Sequence, residues 1–203
     1  MSPWKLIEKF KDGTVRYFNP FAGSEAWYTP ERRHRPLHTN ISKNSSPIDL
    51  HHPQDYCAFC PAHYRQTTPE KTRIVIGNDE WQMQNRLAPA EVFEQTTPLR
   101  RIGNLYEIFA YDYWRQNYDH TLSKDEQEHQ KIYLDDANGR EHVLRLLAEK
   151  YNGNGRLSAS SINSTKLQQM SAFLFGGSHE LVVPSRHFVD GAMDPRNCAA
   201  QDR

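Results

Sequence analysis

The sequence predicts an α+β fold, and three observations predict it. Strand signals punctuated by turns run from about Trp4 to Trp27 and return at Arg73–Ile76 and Ile102–Phe109. Helical signals gather between Ser123 and Ala148. One more short strand signal follows at His179–Val183. Strands and helices thus fall in separate runs rather than in strict alternation.

Each element has a local reason. Asp12-Gly13 is a hairpin turn signal between Leu6, Ile7, Phe10 and Val15, Tyr17. Asn19-Pro20 and Gly23 mark a second turn before Ala26, Trp27 and Tyr28. The polar segment 32–54 reads as a loop. Arg73-Ile74-Val75-Ile76 reads as a strand ended by Gly77-Asn78-Asp79, and Leu99–Tyr111 as another, through Ile102 and Leu105–Phe109. Ser123-Lys124-Asp125-Glu126 has the form of a capping box opening a helix that runs on through Leu134. Glu126, Glu128 and His129 read as its solvated face. A second helix covers His142–Ala148 and stops at Asn152-Gly153-Asn154-Gly155. The last strand is entered from Gly176-Gly177 and closed by Pro184.

Composition narrows the function. The 203 residues carry 25 basic and 25 acidic side chains, a zero balance that argues against a general nucleic-acid binder. No apolar run approaches the ~18 residues of a membrane span, and the first residues lack a signal-peptide pattern. Three cysteines are too few for a secreted disulfide framework, so a reduced, cytoplasmic protein is expected. At 37% hydrophobic residues the chain is poor in core material, which points to long surface loops and a partner surface.

The chemistry-bearing run is Cys57-Ala58-Phe59-Cys60-Pro61-Ala62-His63. Two thiolates at this spacing can turn toward one zinc ion, with buried free thiols as the competing reading. His63 is a local candidate for a third ligand. Cys198, in the polar tail, reads as an unpaired exposed thiol.

Four separated motifs then line up: Asn19-Pro20-Phe21-Ala22-Gly23 with Pro30-Glu31-Arg32-Arg33-His34-Arg35-Pro36; Cys57–Pro61 with Thr68-Pro69-Glu70; Arg100–Tyr106; and His179-Glu180-Leu181-Val182-Val183-Pro184-Ser185-Arg186-His187. Their order and spacing resemble the N-terminal half of galactose-1-phosphate uridylyltransferases, a branch of the histidine-triad nucleotidyltransferase superfamily. The resemblance covers about Asn19 to Ala192. It implies an antiparallel sheet with helices packed on one side, in a domain of residues 1–193. Within it, 112–170 would be a helical insertion; the polar, aperiodic tail 194–203 that follows the domain reads as disordered.

The resemblance also implies roles. Cys57 and Cys60 would be zinc ligands, and His187 the third. Arg32 and Arg35 match the pair that contacts the nucleotide end of the substrate, where guanidinium forks suit phosphate oxygens. Asn104 matches a nucleotide-contacting position, with Asn78-Asp79 as its rival and a strand-end turn as the plainer alternative.

There are departures. Ala58 stands where the family often has an aromatic residue, and the spacing before His187 is compressed by about one position. The family's nucleophile lies in a His-Pro-His-Gly-Gln motif with the fourth zinc ligand in or beside it, and this chain has no His-x-His. The expectation is therefore a truncated or split nucleotidyltransferase of galactose-metabolism type, inactive alone. It would bind zinc and a nucleotide sugar or sugar phosphate, as a homodimer or paired with a missing C-terminal half. The alternative is a non-catalytic, zinc-stabilised nucleotide- or phosphate-binding module, or an interaction module that completes its sheet with another chain.

Overall fold

A computed structural model describes residues 5–30, 55, 57–77, 80–151 and 162–185. It is α+β, with two antiparallel sheets rather than one. The first sheet is a meander of β1 (Ile7–Lys9), β2 (Val15–Asn19) and β3 (Ser24–Tyr28). Both anticipated turns are present. Gly13 adopts φ +88°, in the left-handed region that glycine enters without strain, and Asp12 accepts hydrogen bonds from the Thr14 backbone N–H and hydroxyl. The sheet seats itself through aromatic rings: Trp27 meets Phe109 edge-on at 5.2 Å between centroids, and Phe10 stacks on Trp27.

The second sheet has the order β5-β4-β6-β7, from β4 (Glu70–Gly77), β5 (Glu80–Asn85), β6 (Leu99–Gly103) and β7 (Glu180–Pro184). Its register aligns Arg73 with Arg100, and Arg100 with Val183, on one face. Ile74, Met83, Leu99 and Pro184 fall on the other face. Helices cover the first face. α1 (Pro89–Glu94) abuts Arg73 there, and α5 (Ser164–Gly176) approaches β6 where the Leu174 carbonyl faces Gly103. α2 (Tyr111–Tyr118), α3 (Lys124–Asp135) and α4 (Ala137–Tyr151) complete the layer.

The apolar core lies mainly among the helices. Tyr133, Val143, Leu146, Leu147, Leu167, Leu174 and Phe175 are all fully buried. Most of them belong to the segment 112–170, so these helices build the centre of the fold. No helix among the described residues is long and apolar enough to cross a membrane.

The structure corrects some expectations. β6 ends at Gly103, and Leu105–Phe109 is not a strand but a turn region. Its polar groups explain why. Asn104 Oδ1 accepts from the Tyr106 N–H, and the Glu107 carboxylate accepts from the backbone N–H groups of Ser178 and His179, folding the chain back. His129 is not on a solvated face: it is buried, with Nε2 donating to the Leu87 carbonyl. β5, α1, α2 and α5 are elements beyond those expected from sequence.

Candidate functional site

Cys57 and Cys60 form the lip of a cavity of about 270 Å³ at one end of the second sheet. Its other walls are Tyr64, Thr97, Arg100 and the end of β7, Val183 to Ser185. The cysteine loop is a tight turn. Cys60 N–H donates to the Cys57 carbonyl at 3.1 Å, and His63 N–H to the Cys60 carbonyl at 2.8 Å. Pro61 then opens a short 3-10 helix, Pro61–Gln66, whose first backbone N–H would have had no partner.

Neither cysteine is in a disulfide; Cys57 is half-buried and Cys60 buried. Burial pushes the Cys60 thiol up, the neighbouring Cys57, hydrogen-bonded to it, adds to that, and the Arg100 guanidinium pulls it down. The two cysteines are thus close enough for each to act on the other. Two soft donors on one wall fit zinc as half of a tetrahedral set.

His63, the local candidate for a third ligand, is oriented by the loop itself. Its Nδ1 lies 2.8 Å from the Cys57 carbonyl, so that nitrogen carries a proton and donates to it. Among the described residues no group of three His, Cys, Asp or Glu side chains could hold a metal. His187, Arg32, Arg35, Asn78-Asp79 and Cys198 lie outside the described residues.

Asn104 is described, and it stands away from the cysteines. It follows the far end of β6, four residues beyond Arg100, roughly 13 Å along the strand direction. Its backbone N–H donates to the His179 carbonyl and its side chain caps the turn to Tyr106. Its local contacts match the strand-end turn reading.

Beneath the cavity is a cluster that sequence reasoning did not assign. Glu70, Arg73 and Arg100 are at most 1% exposed. Arg73 Nε donates to Glu70 Oε2 at 2.9 Å, and its two terminal nitrogens donate to the carbonyls of Glu91, Val92 and Gln95 at the end of α1. Arg100 Nη1 donates to Glu70 Oε1 at 3.3 Å and Thr67 Oγ1 at 3.1 Å, and Nη2 to the Phe59 carbonyl at 3.1 Å. The Arg100 guanidinium lies 3.8 Å over the Tyr64 ring. Burial lowers the Arg100 pKa and Glu70 opposes the shift. The available sequence signal was position: Glu70 and Arg100 both sit inside the aligned motifs.

A family model described as "Domain of unknown function (DUF4921)" matches residues 10–202. No curated protein matches the chain, and no solved structure does.

Proposed function

The chain belongs to the DUF4921 family, and on that premise we propose that it is a zinc-stabilised, nucleotidyltransferase-like protein of the cytoplasm that binds a nucleotide sugar or sugar phosphate. The observation that carries the reading is the cavity at the cysteine loop. It gathers Cys57 and Cys60 with Ser185, and Ser185 precedes His187 by two residues. Two residues of chain span at most about 7 Å, and His187 would be the third ligand. Among the described residues His63 does not join the cysteine pair in a group of three possible ligands, which favours His187 over its nearer rival.

Zinc at this position would cross-link the loop before β4 to the end of β7, a structural rather than catalytic service. Arg32 and Arg35 would then supply guanidinium forks to phosphate oxygens. The absence of any His-x-His from these residues means that the nucleotidyl-transfer nucleophile is not among them. The proposed role of the chain is therefore to bind and hold the nucleotide rather than to attack phosphorus.

Metal analysis of the purified full chain tests the first half. About one zinc per chain is expected, lost in Cys57→Ser, Cys60→Ser and His187→Ala. A wild-type protein without zinc overturns the reading. Thermal unfolding with a millimolar uridine diphosphate sugar tests the second half. Ligand that binds only the native state must raise the midpoint, and an unmoved midpoint removes nucleotide binding from the proposal.

A further inference from the structure

The buried Glu70–Arg73–Arg100 cluster is poorly explained by stability. Three charges taken out of water carry a large desolvation cost, and well-packed apolar residues often serve as well. What the cluster does uniquely is reach the cysteine loop. We infer that Arg100 is a positioning residue for the metal site, holding the Cys57–Cys60 loop in its ligating shape through the Phe59 carbonyl. This rests on the zinc reading above.

The geometry supports it link by link. Phe59 lies between the two ligand positions, and its side chain is 41% exposed, so packing does little to hold the loop there. Its carbonyl is held by Arg100 Nη2, from a strand 41 residues away. Arg100 is itself fixed before it touches the loop. Glu70 and Thr67 take Nη1, and the Tyr64 ring lies under the guanidinium plane. Glu70 is in turn oriented by Arg73 through its second oxygen. Metal ligands depend on groups behind them for orientation, and loss of such support costs 10–100-fold in affinity. A lysine would keep the charge at position 100 but not the planar fork that serves three acceptors at once.

Chelator competition with zinc alone on the full chain, read beside the melting temperature of the metal-free protein, tests this. Arg100→Lys should bind zinc at least tenfold more weakly than wild type. Thr67→Val, which removes one acceptor from Arg100 without removing a charge, should weaken binding at least threefold. Leu146→Ala opens the helical core at a wholly buried position and leaves the Arg100 contacts alone. It should lower the melting temperature and leave zinc affinity within twofold. If Arg100→Lys does not fold, Thr67→Val decides. Zinc affinity within twofold of wild type in the folded Arg100 and Thr67 variants overturns the inference while leaving the zinc site standing. So does an equal loss in Leu146→Ala, which would make the effect general destabilisation. Wild-type protein that binds no zinc overturns the inference and the zinc reading together.

Discussion

At His142 both ring nitrogens are committed. Nε2 faces the Thr67 carbonyl at 2.8 Å and must donate; Nδ1 faces the Tyr133 hydroxyl at 2.8 Å and must accept. Burial pushes the Tyr133 phenol up, so it keeps the proton it donates. Protonating His142 would put two donors against each other in the core. Its pKa is accordingly lowered to about 4, chiefly by burial, with Arg65 and Arg145 adding to the effect against the hydrogen bond to Thr67. His129 is lowered to about 4 in the same way, with Lys71 and Arg86 adding to the burial. In the unfolded chain both return to about 6.5. Between those values the unfolded state binds more protons than the folded one, so stability rises with pH and is lost as pH falls from about 6.5 toward 4. Each histidine is worth on the order of 3 kcal/mol over that window, at about 1.4 kcal/mol per pH unit. Urea unfolding at pH 7, 6 and 5 should show this fall. A stability unchanged across that range would mean that neither imidazole is buried neutral.

At the scale of the element, two substitutions separate propensity from packing. Ser123 caps α3 as its sequence predicts: its hydroxyl accepts from the Glu126 N–H, and the Glu126 carboxylate accepts from the Ser123 N–H at 2.8 Å. Ser123→Ala should cost about 1 kcal/mol in denaturant unfolding. Gly139, inside α4, should respond against its helix propensity. Alanine in a helix is ordinarily better than glycine by about 1 kcal/mol. Here a Cβ would meet the Tyr133 carbonyl oxygen at 2.1 Å and Pro89 Cγ at 2.6 Å, and a backbone atom cannot swing aside. Gly139→Ala should therefore destabilise by about 1–3 kcal/mol, and a gain in melting temperature would show that α3 and α4 are not so closely opposed.

These cases also mark what sequence could disclose. The cap and the Asp12-Gly13 turn were legible because the bonds that define them join residues at most four apart. α5 was not, because Leu167, Ala172, Phe173, Leu174 and Phe175 are buried around much of its girth, which erases the helical period; its cap, Asn163 accepting from the Lys166 N–H, was the remaining clue. Leu105–Phe109 misled because its fold is set by Glu107 reaching Ser178, 71 positions away. The site divides likewise. The cysteine pair is local and plain. Arg100 is an ordinary charged residue until Glu70 and Phe59 meet it from 30 and 41 positions off.

At the scale of the molecule, the second sheet is unequal on its two faces. The face under the helices buries Arg73, Arg100 and Ile102. The opposite face places Ile76, Trp81, Met83 and Val182 in solvent, with Trp81 and Met83 about two-thirds exposed. Low apolar content thus coexists with a dense helical core because the core takes its residues from α3, α4 and α5 and leaves this face outside it. Burial energy scales with the area removed from water, so side chains that remain in water contribute little to folding. Trp81→Thr combined with Met83→Thr keeps strand-compatible residues on β5 and should change the unfolding free energy by less than about 1 kcal/mol. Leu146→Ala, in the middle of α4 and wholly buried, should cost 2–5 kcal/mol. Urea titration of the two variants beside wild type measures both. A loss above about 2 kcal/mol in the β5 variant would mean that this face is covered when the protein folds, and that the stability of the sheet depends on both of its sides.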